Sequence, residues 1–281
     1  MKLQKAKREQ VKLKIGVSGA SGFGKTYSAL LMGYGIVGDW SKIAVIDTEN
    51  NSASLYSDLG DFNTLQLDAP YSPERYIDAI KVCEEAGIEL LIIDSISHEW
   101  SGSGGCLEIL DSLGGRFQDW AKLTPRHNKF IQKILQTNMH VITSTRRKQE
   151  YEISKNSKGR NEVNKLGTKE ETREGFEYEL TLSFEIINDK HLAKASKDRT
   201  QLFMDMPETV INEETGKTLR KWSMEGVNPI DDIKKQLETL KTREEIEAYY
   251  LTDDIKKYHK NEKVKSLFTN RAIKIETKKE S

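Results

Sequence analysis

The chain has 281 residues with 44 basic and 44 acidic side chains, so its formal net charge is zero. Hydrophobic residues make up 36% and charged residues 31%, a polar composition that still excludes the apolar-poor make-up of a disordered chain. The longest aliphatic run, residues 90–93, is too short for a membrane span. Because the charged N-terminal segment also lacks the apolar stretch of a signal peptide, we expect a cytoplasmic protein without membrane association.

The first half of the chain alternates between strand and helix patterns. A β-branched strand is followed by a glycine-rich turn and a helix from about Lys25 to Ile36, and Pro73 opens a later helix behind Ser72 as N-cap. Strands are predicted over residues 12–17, 42–47, 64–67, 89–94 and 139–145. This alternation predicts an α/β fold with a mainly parallel central sheet.

The pattern changes after residue 145. Thr124-Pro125 already interrupts the helical stretch 106–138 and favours a new helix there, and residues 146–175 are polar without apolar periodicity, which predicts a loop. An antiparallel extension is expected around a turn at Asn188-Asp189. Its strands are predicted over residues 177–187, 190–196, 201–205 and 218–224.

The last part of the chain predicts a small helical module over residues 229–281, beyond a linker at 226–229. Its apolar positions recur at helical spacing, and Thr242 with Glu245 forms a capping box. The periodic residues are Ile230, Ile233, Leu237 and Leu240.

Residues 19–26 match the pattern G-x-x-x-x-G-K-[ST] between a strand and a helix. The glycines allow backbone N–H groups to turn toward phosphate oxygens, and the helix N-terminus adds partial positive charge. Lys25 would reach the β- and γ-phosphates and Thr26 would offer its hydroxyl to Mg²⁺. The predicted nucleotide-binding residues are Gly19, Ala20, Ser21, Gly22, Phe23, Gly24, Lys25, Thr26 and Tyr27.

Two carboxylates stand where strands end. Asp94 follows a buried apolar strand and is predicted to hold Mg²⁺ with Thr26. Glu49 follows the second strand, where it could orient or deprotonate a water aimed at the γ-phosphate; a solvated loop glutamate is the alternative. His98 and Glu99 follow Asp94 closely, but the five histidines are scattered, so His98 is interpreted as an ordinary loop residue.

The two cysteines, Cys83 and Cys106, are too few for a disulfide framework or, alone, for a structural zinc site. We expect two reduced thiols packed in the interior.

The order of the phosphate loop, the segment ending at Glu49 and the strand ending in Asp94-Ser95 resembles the RecA/recombinase superfamily of ATPases, over residues 12–206. The resemblance implies that Glu49 is the catalytic base and that Lys25 takes part in catalysis. Through the phrases IDSISHEW and SKDRT, the chain is similar to short RecA-core ATPases that phages encode beside single-strand annealing genes. This implies ATP hydrolysis, single-stranded DNA binding and a role in homologous pairing in a bacterial or phage-infected cell.

The resemblance also implies DNA contacts from two segments, residues 97–105 and 146–175. Residues 146–169 carry eight basic and three acidic side chains, 8 − 3 = +5, which suits DNA backbone contacts, with Tyr151 for stacking; a solvated loop without a partner is the alternative. The candidate DNA-binding residues are Trp100, Arg146, Arg147, Lys148, Lys155, Lys158 and Arg160.

RecA-like ATPases place Lys or Arg of one protomer against the γ-phosphate of the next. Lys197 and Arg199 have the spacing of such a pair and are predicted to act in trans in a homo-oligomer, a ring or a short filament. Residues 1–14 form a basic arm of +5 without the aromatic anchor of filament-forming recombinases. Residues 143–146 stand where the superfamily carries a polar sensor.

The predicted organisation is a basic arm (1–14), a RecA-like core (12–225) and a C-terminal module (229–281) that docks on the core or on a recombination or single-strand-binding partner. Two other functions stay open: an ATP-loaded switch or adaptor that does not act on DNA, and a phosphotransferase. The neutral net charge does not exclude DNA, because positive charge is concentrated in the arm, residues 146–169 and the tail.

Overall fold

A nine-stranded sheet organises the larger of two units into which the described chain divides, residues 12–222. The computed structural model describes residues 11–155, 161–224, 229–256, 258–259 and 261–279. The strands in these residues are β1 (Lys14–Gly19), β2 (Ile43–Asp47), β3 (Asn63–Gln66), β4 (Leu90–Asp94), β5 (His140–Lys155), β6 (Asn161–Glu170), β7 (Leu182–Ile186), β8 (Leu192–Asp198) and β9 (Thr209–Val210).

Helices connect and follow these strands. They are α1 (Lys25–Val37), α2 (Pro73–Glu85), α3 (Ser97–Ser101), α4 (Cys106–Ser112), α5 (Trp120–Gln136), α6 (Phe176–Glu179), α7 (Glu213–Met224), α8 (Pro229–Thr239), α9 (Arg243–Tyr250), α10 (Asp253–Lys256) and α11 (Glu262–Lys279). In the described part of the chain, none of them combines the length and apolar character that crossing a membrane requires.

The strand order is β3-β2-β4-β5-β1-β7-β8-β9. The strands from β3 to β7 in this order run parallel, and β8 and β9 continue the sheet antiparallel. The predicted α/β fold with a mainly parallel sheet and a hairpin extension is therefore confirmed. The register pairs Asp47 with Asp94 and Gly19 with Arg146, so the polar ends of four strands meet at one edge of the sheet.

Both faces of the sheet are buried, as expected for parallel strands. In β4 the side chains alternate: Leu90 and Ile92 join the core beneath α1, whereas Leu91 and Ile93 join the core beneath α2 and α5. On the α1 side, α7 approaches so closely that Gly35 and Gly216 face each other without room for side chains. These contacts fix α1, which begins at the glycine-rich turn.

The predicted helix break at Thr124-Pro125 is wrong, because α5 runs from Trp120 through Pro125 to Gln136. Proline cannot donate a backbone hydrogen bond, which costs the helix one link. That loss is outweighed by a buried stripe at helical spacing, formed by Leu123, His127, Phe130 and Ile134.

The two strands predicted after the hairpin are also wrong. Residues 201–205 form bends and turns, and residues 218–224 belong to the helix α7. Asn212 caps the N-terminus of α7. Its side-chain oxygen accepts hydrogen bonds from the backbone N–H groups of Glu214 and Thr215 at 2.9 and 3.2 Å. Buried Leu219 then packs on the sheet, with Trp222 beside it.

The predicted loop over residues 146–175 is instead largely a β-hairpin. β5 continues beyond the sheet and pairs antiparallel with β6, from Arg147 opposite Glu170 to Lys155 opposite Asn161. Cross-strand pairing joins backbone groups that every residue type except proline carries, so such a hairpin can form without apolar periodicity in its sequence. Lys158 and Arg160 lie outside the described residues, as does the side chain of Lys155.

The smaller unit contains α8–α11, which pack around a core of their own. The core residues include Ile233, Leu237, Ile246, Val264 and Phe268. The predicted capping box is confirmed: Thr242 Oγ1 accepts from the Glu245 N–H at 3.2 Å, and Glu245 Oε2 accepts from the Thr242 N–H at 3.2 Å. The predicted linker falls mainly on residues 225–228, which, like residues 1–10 of the arm, lie outside the described residues.

Candidate functional site

The turn between β1 and α1 leaves a helix N-terminus open for an anion. Gly22 and Gly24 adopt left-handed φ angles of 80° and 81°, which glycine reaches without steric cost. α1 has no side-chain cap and no acidic residue in its first turn. Its first N–H groups and the positive end of its dipole are therefore available to phosphate oxygens.

Lys25 is 8% exposed and lies against this turn. Its Nζ donates a hydrogen bond to the Ala20 carbonyl oxygen at 3.0 Å. Burial lowers the pKa of Lys25, while the nearby carboxylates of Asp94 and Glu49 raise it. A buried ammonium group beside an uncapped helix N-terminus suits the negatively charged terminal phosphates of a nucleotide. These residues therefore fit a nucleotide ligand.

Asp94 is buried at the end of β4 and accepts two hydroxyl hydrogen bonds. Thr26 Oγ1 lies 2.5 Å from Asp94 Oδ2, and the Ser144 hydroxyl donates to Asp94 Oδ1. Burial raises the pKa of Asp94, and these two hydrogen bonds lower it. Thr26 and Asp94 therefore come together as an oxygen pair that fits Mg²⁺, an ion that takes few protein ligands and keeps several waters.

Glu49 lies half-buried just beyond β2, where a hydrogen bond from its backbone N–H to the Asp47 side chain fixes its main chain. Its N–H donates to Asp47 Oδ1 at 2.6 Å, and Asp47 Oδ2 accepts from the Ala53 N–H at 2.8 Å. The Glu49 carboxylate is engaged: Arg146 Nε and Nη2 each lie 2.9 Å from Oε1. The candidate base is thus joined to the residue at which β5 leaves the sheet.

His98 lies closer to this edge than its interpretation as an ordinary loop residue suggested. Its Nδ1 is 2.7 Å from the Thr48 hydroxyl, and its ring stacks on Tyr71 at 4.9 Å. Burial and the charge of Arg146 lower its pKa, which favours a neutral imidazole. His98 therefore positions Thr48, the neighbour of Glu49.

A cavity of about 480 Å³ lies at this edge of the sheet, and Lys25, Thr26, Glu49 and Asp94 are among the residues that line it. Other members of its wall, among them Tyr56, His191 and Val210, were not predicted, and Arg146 was predicted as a DNA contact and as part of the sensor segment 143–146. Tyr27 and Tyr56 meet edge to face with ring centroids 5.6 Å apart. This aromatic pair offers an apolar surface for a nucleotide base.

The described candidate DNA-binding residues are engaged within the chain. Trp100 stacks on Trp120 at 5.9 Å and packs on the small core around Cys106, so its ring is engaged within the chain, and its contact with DNA stays a prediction. Arg147 lies 3.5 Å from Glu170 and 3.4 Å from Glu185, and Lys148 pairs with Glu171.

Lys197 lies on β8 and Arg199 just beyond its end, so the strand alternation predicted for the pair does not extend to Arg199, and neither residue lines the cavity. Lys197 Nζ donates to the Glu177 carbonyl at 2.7 Å and Arg199 Nη2 to the Tyr178 carbonyl at 2.6 Å, so both cap carbonyls of α6. Within this chain neither reaches the phosphate loop.

Three comparisons complete the description. No curated protein matches the chain. The crystal structure of the KaiC-like protein PH0186 from the hyperthermophilic archaeon Pyrococcus horikoshii OT3 is similar at 15% identity, over 70% of this chain and 83% of that one, with a TM-score of 0.41. The family described as AAA domain matches residues 11–226, which include the phosphate loop, Glu49 and Asp94. The chain therefore belongs to the AAA-domain family of P-loop NTPases.

Proposed function

We propose that this chain is a Mg²⁺-dependent ATPase whose turnover is coupled to single-stranded DNA at the β5–β6 hairpin, in recombination, replication or repair of the phage type. The ion pair between Glu49 and Arg146 carries the proposal. It links the candidate catalytic base to the first residue of the segment with a charge of +5.

In this proposal the chain's own groups divide the work on ATP. The N–H groups at the start of α1 and the Lys25 ammonium hold the β- and γ-phosphates, and Thr26 with Asp94 holds Mg²⁺. The ion would neutralise charge that develops on the phosphate oxygens. Glu49 orients the attacking water and accepts its proton.

The Arg146 guanidinium restrains Glu49 in the absence of DNA. Two guanidinium nitrogens of Arg146 lie 2.9 Å from Glu49 Oε1, so this oxygen is occupied and a water cannot donate to it without displacing Arg146. The side chains of Arg146 and Glu49 are 38% and 26% exposed, so the pair is worth only about 0.2–1 kcal/mol. DNA phosphates binding along the hairpin can compete for Arg146 at that cost and release Glu49.

ATP hydrolysis with and without single-stranded DNA tests the proposal on the wild type, Lys25→Ala and Glu49→Gln. We expect DNA-stimulated turnover that both substitutions abolish, with Glu49→Gln still binding ATP. Arg146→Ala should raise the DNA-free rate and reduce the stimulation. Lys148→Ala is the matched control: its cation pairs with Glu171, so it should weaken DNA binding and leave the DNA-free rate unchanged.

The same ion pair also favours a second function, an ATP-loaded switch or adaptor. A Glu49 carboxylate bound to Arg146 does not activate water, so ATP would stay bound without being hydrolysed. Turnover indifferent to DNA, together with no salt-dependent DNA binding, would replace the leading proposal with this one. Phosphate appearing on an acceptor rather than free in solution would identify a phosphotransferase.

The oligomer is a separate part of the proposal. We propose that Lys197 and Arg199 exchange their α6 carbonyl partners for the γ-phosphate of a neighbouring protomer in a ring or short filament. Lys197→Ala mixed with Glu49→Gln should then recover activity that neither has alone, and no recovery at any ratio would contradict it.

The C-terminal unit is proposed to bind a recombination or single-strand-binding protein. Its removal should leave ATP hydrolysis intact and abolish capture of that partner. Cytoplasmic localisation stays a prediction.

A further inference from the structure

Three metal-ligating side chains meet in the interior, outside the nucleotide cavity. Glu99, Cys106 and His127 are 1%, 0% and 3% exposed and come from α3, α4 and α5. Cys106 Sγ lies 3.1 Å from Glu99 Oε1 and 3.9 Å from His127 Nδ1. His127 Nδ1 lies 3.0 and 3.1 Å from the two carboxylate oxygens of Glu99.

The loop between α3 and α4 is built so that these residues can converge. Gly105 packs backbone on backbone: a Cβ there would lie 2.6 Å from the His98 carbonyl oxygen and 2.7 Å from that of Glu99. The Gly102 N–H also donates to the His98 carbonyl at 2.8 Å. This tight turn returns the chain within seven residues and places the Cys106 thiol on the Glu99 carboxylate.

Positive charge reaches the cluster only from a distance. Arg126 and Arg173 act on Cys106 through space, Arg126 is itself paired with Glu74, and among the residues that the structure describes no lysine or arginine forms an ion pair with Glu99. The surroundings are apolar, with Leu110, Leu123 and the paired rings of Trp100 and Trp120. A divalent cation held by one carboxylate, one thiolate and one neutral imidazole would give a buried group with zero net charge.

The distances among the donor atoms match those of a transition metal site. Zinc bonds of about 2.0–2.1 Å to N and O and about 2.3 Å to S put tetrahedral donors roughly 3.3–3.6 Å apart. The observed separations of 3.0, 3.1 and 3.9 Å lie within about 0.5 Å of this range. The three side chains supply three donors, and a water would complete the tetrahedron.

We propose that Glu99, Cys106 and His127 form a structural site for Zn²⁺ or a metal of similar preference. Soft thiolate and imidazole donors select zinc over Mg²⁺, so the site is chemically distinct from the oxygen pair of Thr26 and Asp94. The metal would tie α3 and α4 to α5. Because α3 follows Asp94 directly and Ser97 Oγ accepts a hydrogen bond from the Arg146 N–H, this tie would support the edge that carries the nucleotide cavity.

Titration of the chelator-stripped full chain with Co²⁺ tests the proposal, because a thiolate ligand gives Co²⁺ a charge-transfer absorption that an oxygen site cannot give. We expect this band to saturate at one Co²⁺ per chain and to disappear on adding Zn²⁺. Cys106→Ser should abolish it, and Cys83→Ser, which removes the other buried thiol, should leave it unchanged. Glu99→Gln and His127→Gln should weaken Co²⁺ binding at least about 10-fold, the loss that even an outer-shell change causes.

X-ray absorption of the zinc-loaded wild type decides the matter without any variant. One sulfur at about 2.3 Å beside nitrogen and oxygen at about 2.0–2.1 Å is the expected shell. A wild-type chain without the cobalt band, a band that persists in a folded Cys106→Ser protein, or a zinc shell without sulfur would each overturn the proposal. The cluster would then be a hydrogen-bonded triad.

Discussion

Gly35→Ala provides a sharp test of how α1 is held against α7. A Cβ at residue 35 would lie 2.1 Å from the Glu213 carbonyl oxygen and 2.9 Å from Gly216 Cα. Close carbon–oxygen contacts in proteins measure about 3.3 Å, so α7 would have to retreat by roughly 1 Å. Neither atom can rotate away, because both belong to the backbone.

Two opposing effects set the expected magnitude. Replacing a helical glycine by alanine stabilises an α-helix by about 1 kcal/mol, whereas overpacking a core costs about 1–3 kcal/mol and more when backbone must move. For Gly35→Ala we expect a net loss of about 2 kcal/mol. Gly33→Ala is the matched control in the same helix: its Cβ would meet Leu90 Cδ2 at 2.9 Å, a side-chain end that can rotate. Its stability should stay within about 1 kcal/mol of wild type.

Urea unfolding followed by tryptophan fluorescence measures this difference in the larger unit alone. The four tryptophans of the chain all lie within it, at Trp40, Trp100, Trp120 and Trp222. With a slope of about 2–3 kcal/mol/M, the midpoint of Gly35→Ala should fall by about 0.8 M at unchanged slope. A neutral Gly35→Ala, or an equal loss in Gly33→Ala, would refute the close helix approach.

Three further changes probe the rest of the fold. Burial, together with the charge of Lys12, lowers the pKa of His140 to about 3, so the unfolded chain binds the extra proton below its ordinary pKa of about 6.5. Stability should therefore fall by about 1 kcal/mol between pH 7 and 5.5, and His140→Asn should flatten this dependence in thermal melts. Ser144→Ala removes a donor that lowers the pKa of Asp94, so the acid limb of Mg²⁺-dependent nucleotide binding should move to higher pH, measured with a fluorescent nucleotide. Thr242→Ala removes the capping box and should lower the hydrogen-exchange protection of residues 243–250 by about 1 kcal/mol.

Two of these changes have a control variant. Ser144→Thr keeps the hydroxyl and should behave as wild type, and Thr242→Ser should retain its cap. An acid limb unmoved in Ser144→Ala would show that this hydrogen bond does not set the ionisation of Asp94. A His140→Asn protein with unaltered pH dependence would assign the acid sensitivity to another group.

The elements that sequence predicts well are those whose signal is local. The glycine-rich turn carries its conformation in its own residues, and the buried strand ending at Asp94 is continuously apolar, so both stand where they were predicted. α7 was predicted as a strand over residues 218–224, whereas the structure forms a helix that contains Gly216. This glycine lets α1 approach, and that contact joins residues far apart in the chain.

The parts of the site that the sequence did not predict also depend on contacts between residues far apart in the chain. Ser144 reaches Asp94 across two neighbouring strands, and nothing in its surrounding sequence indicates a carboxylate partner. The cluster of Glu99, Cys106 and His127 has no metal-ligand spacing, because three separate helices deliver the side chains. Sequence spacing finds ligands on one helix or loop and misses those that tertiary packing brings together.

The position of β5 in the sheet limits how the β5–β6 hairpin could act on the nucleotide cavity in the proposed coupling. β4 and β1 bond it on both sides within the sheet, and a slide by a single residue would turn every side chain to the opposite face. β5 is therefore held in register by both neighbours, and in the proposed coupling the part that moves is the side chain of Arg146, where β5 leaves the sheet. Such side-chain rotations take picoseconds to nanoseconds, so the signal itself need not limit turnover. The β5–β6 hairpin pairs outside the main strand order of the sheet, so its backbone hydrogen bonds are separate from those that align the phosphate edge.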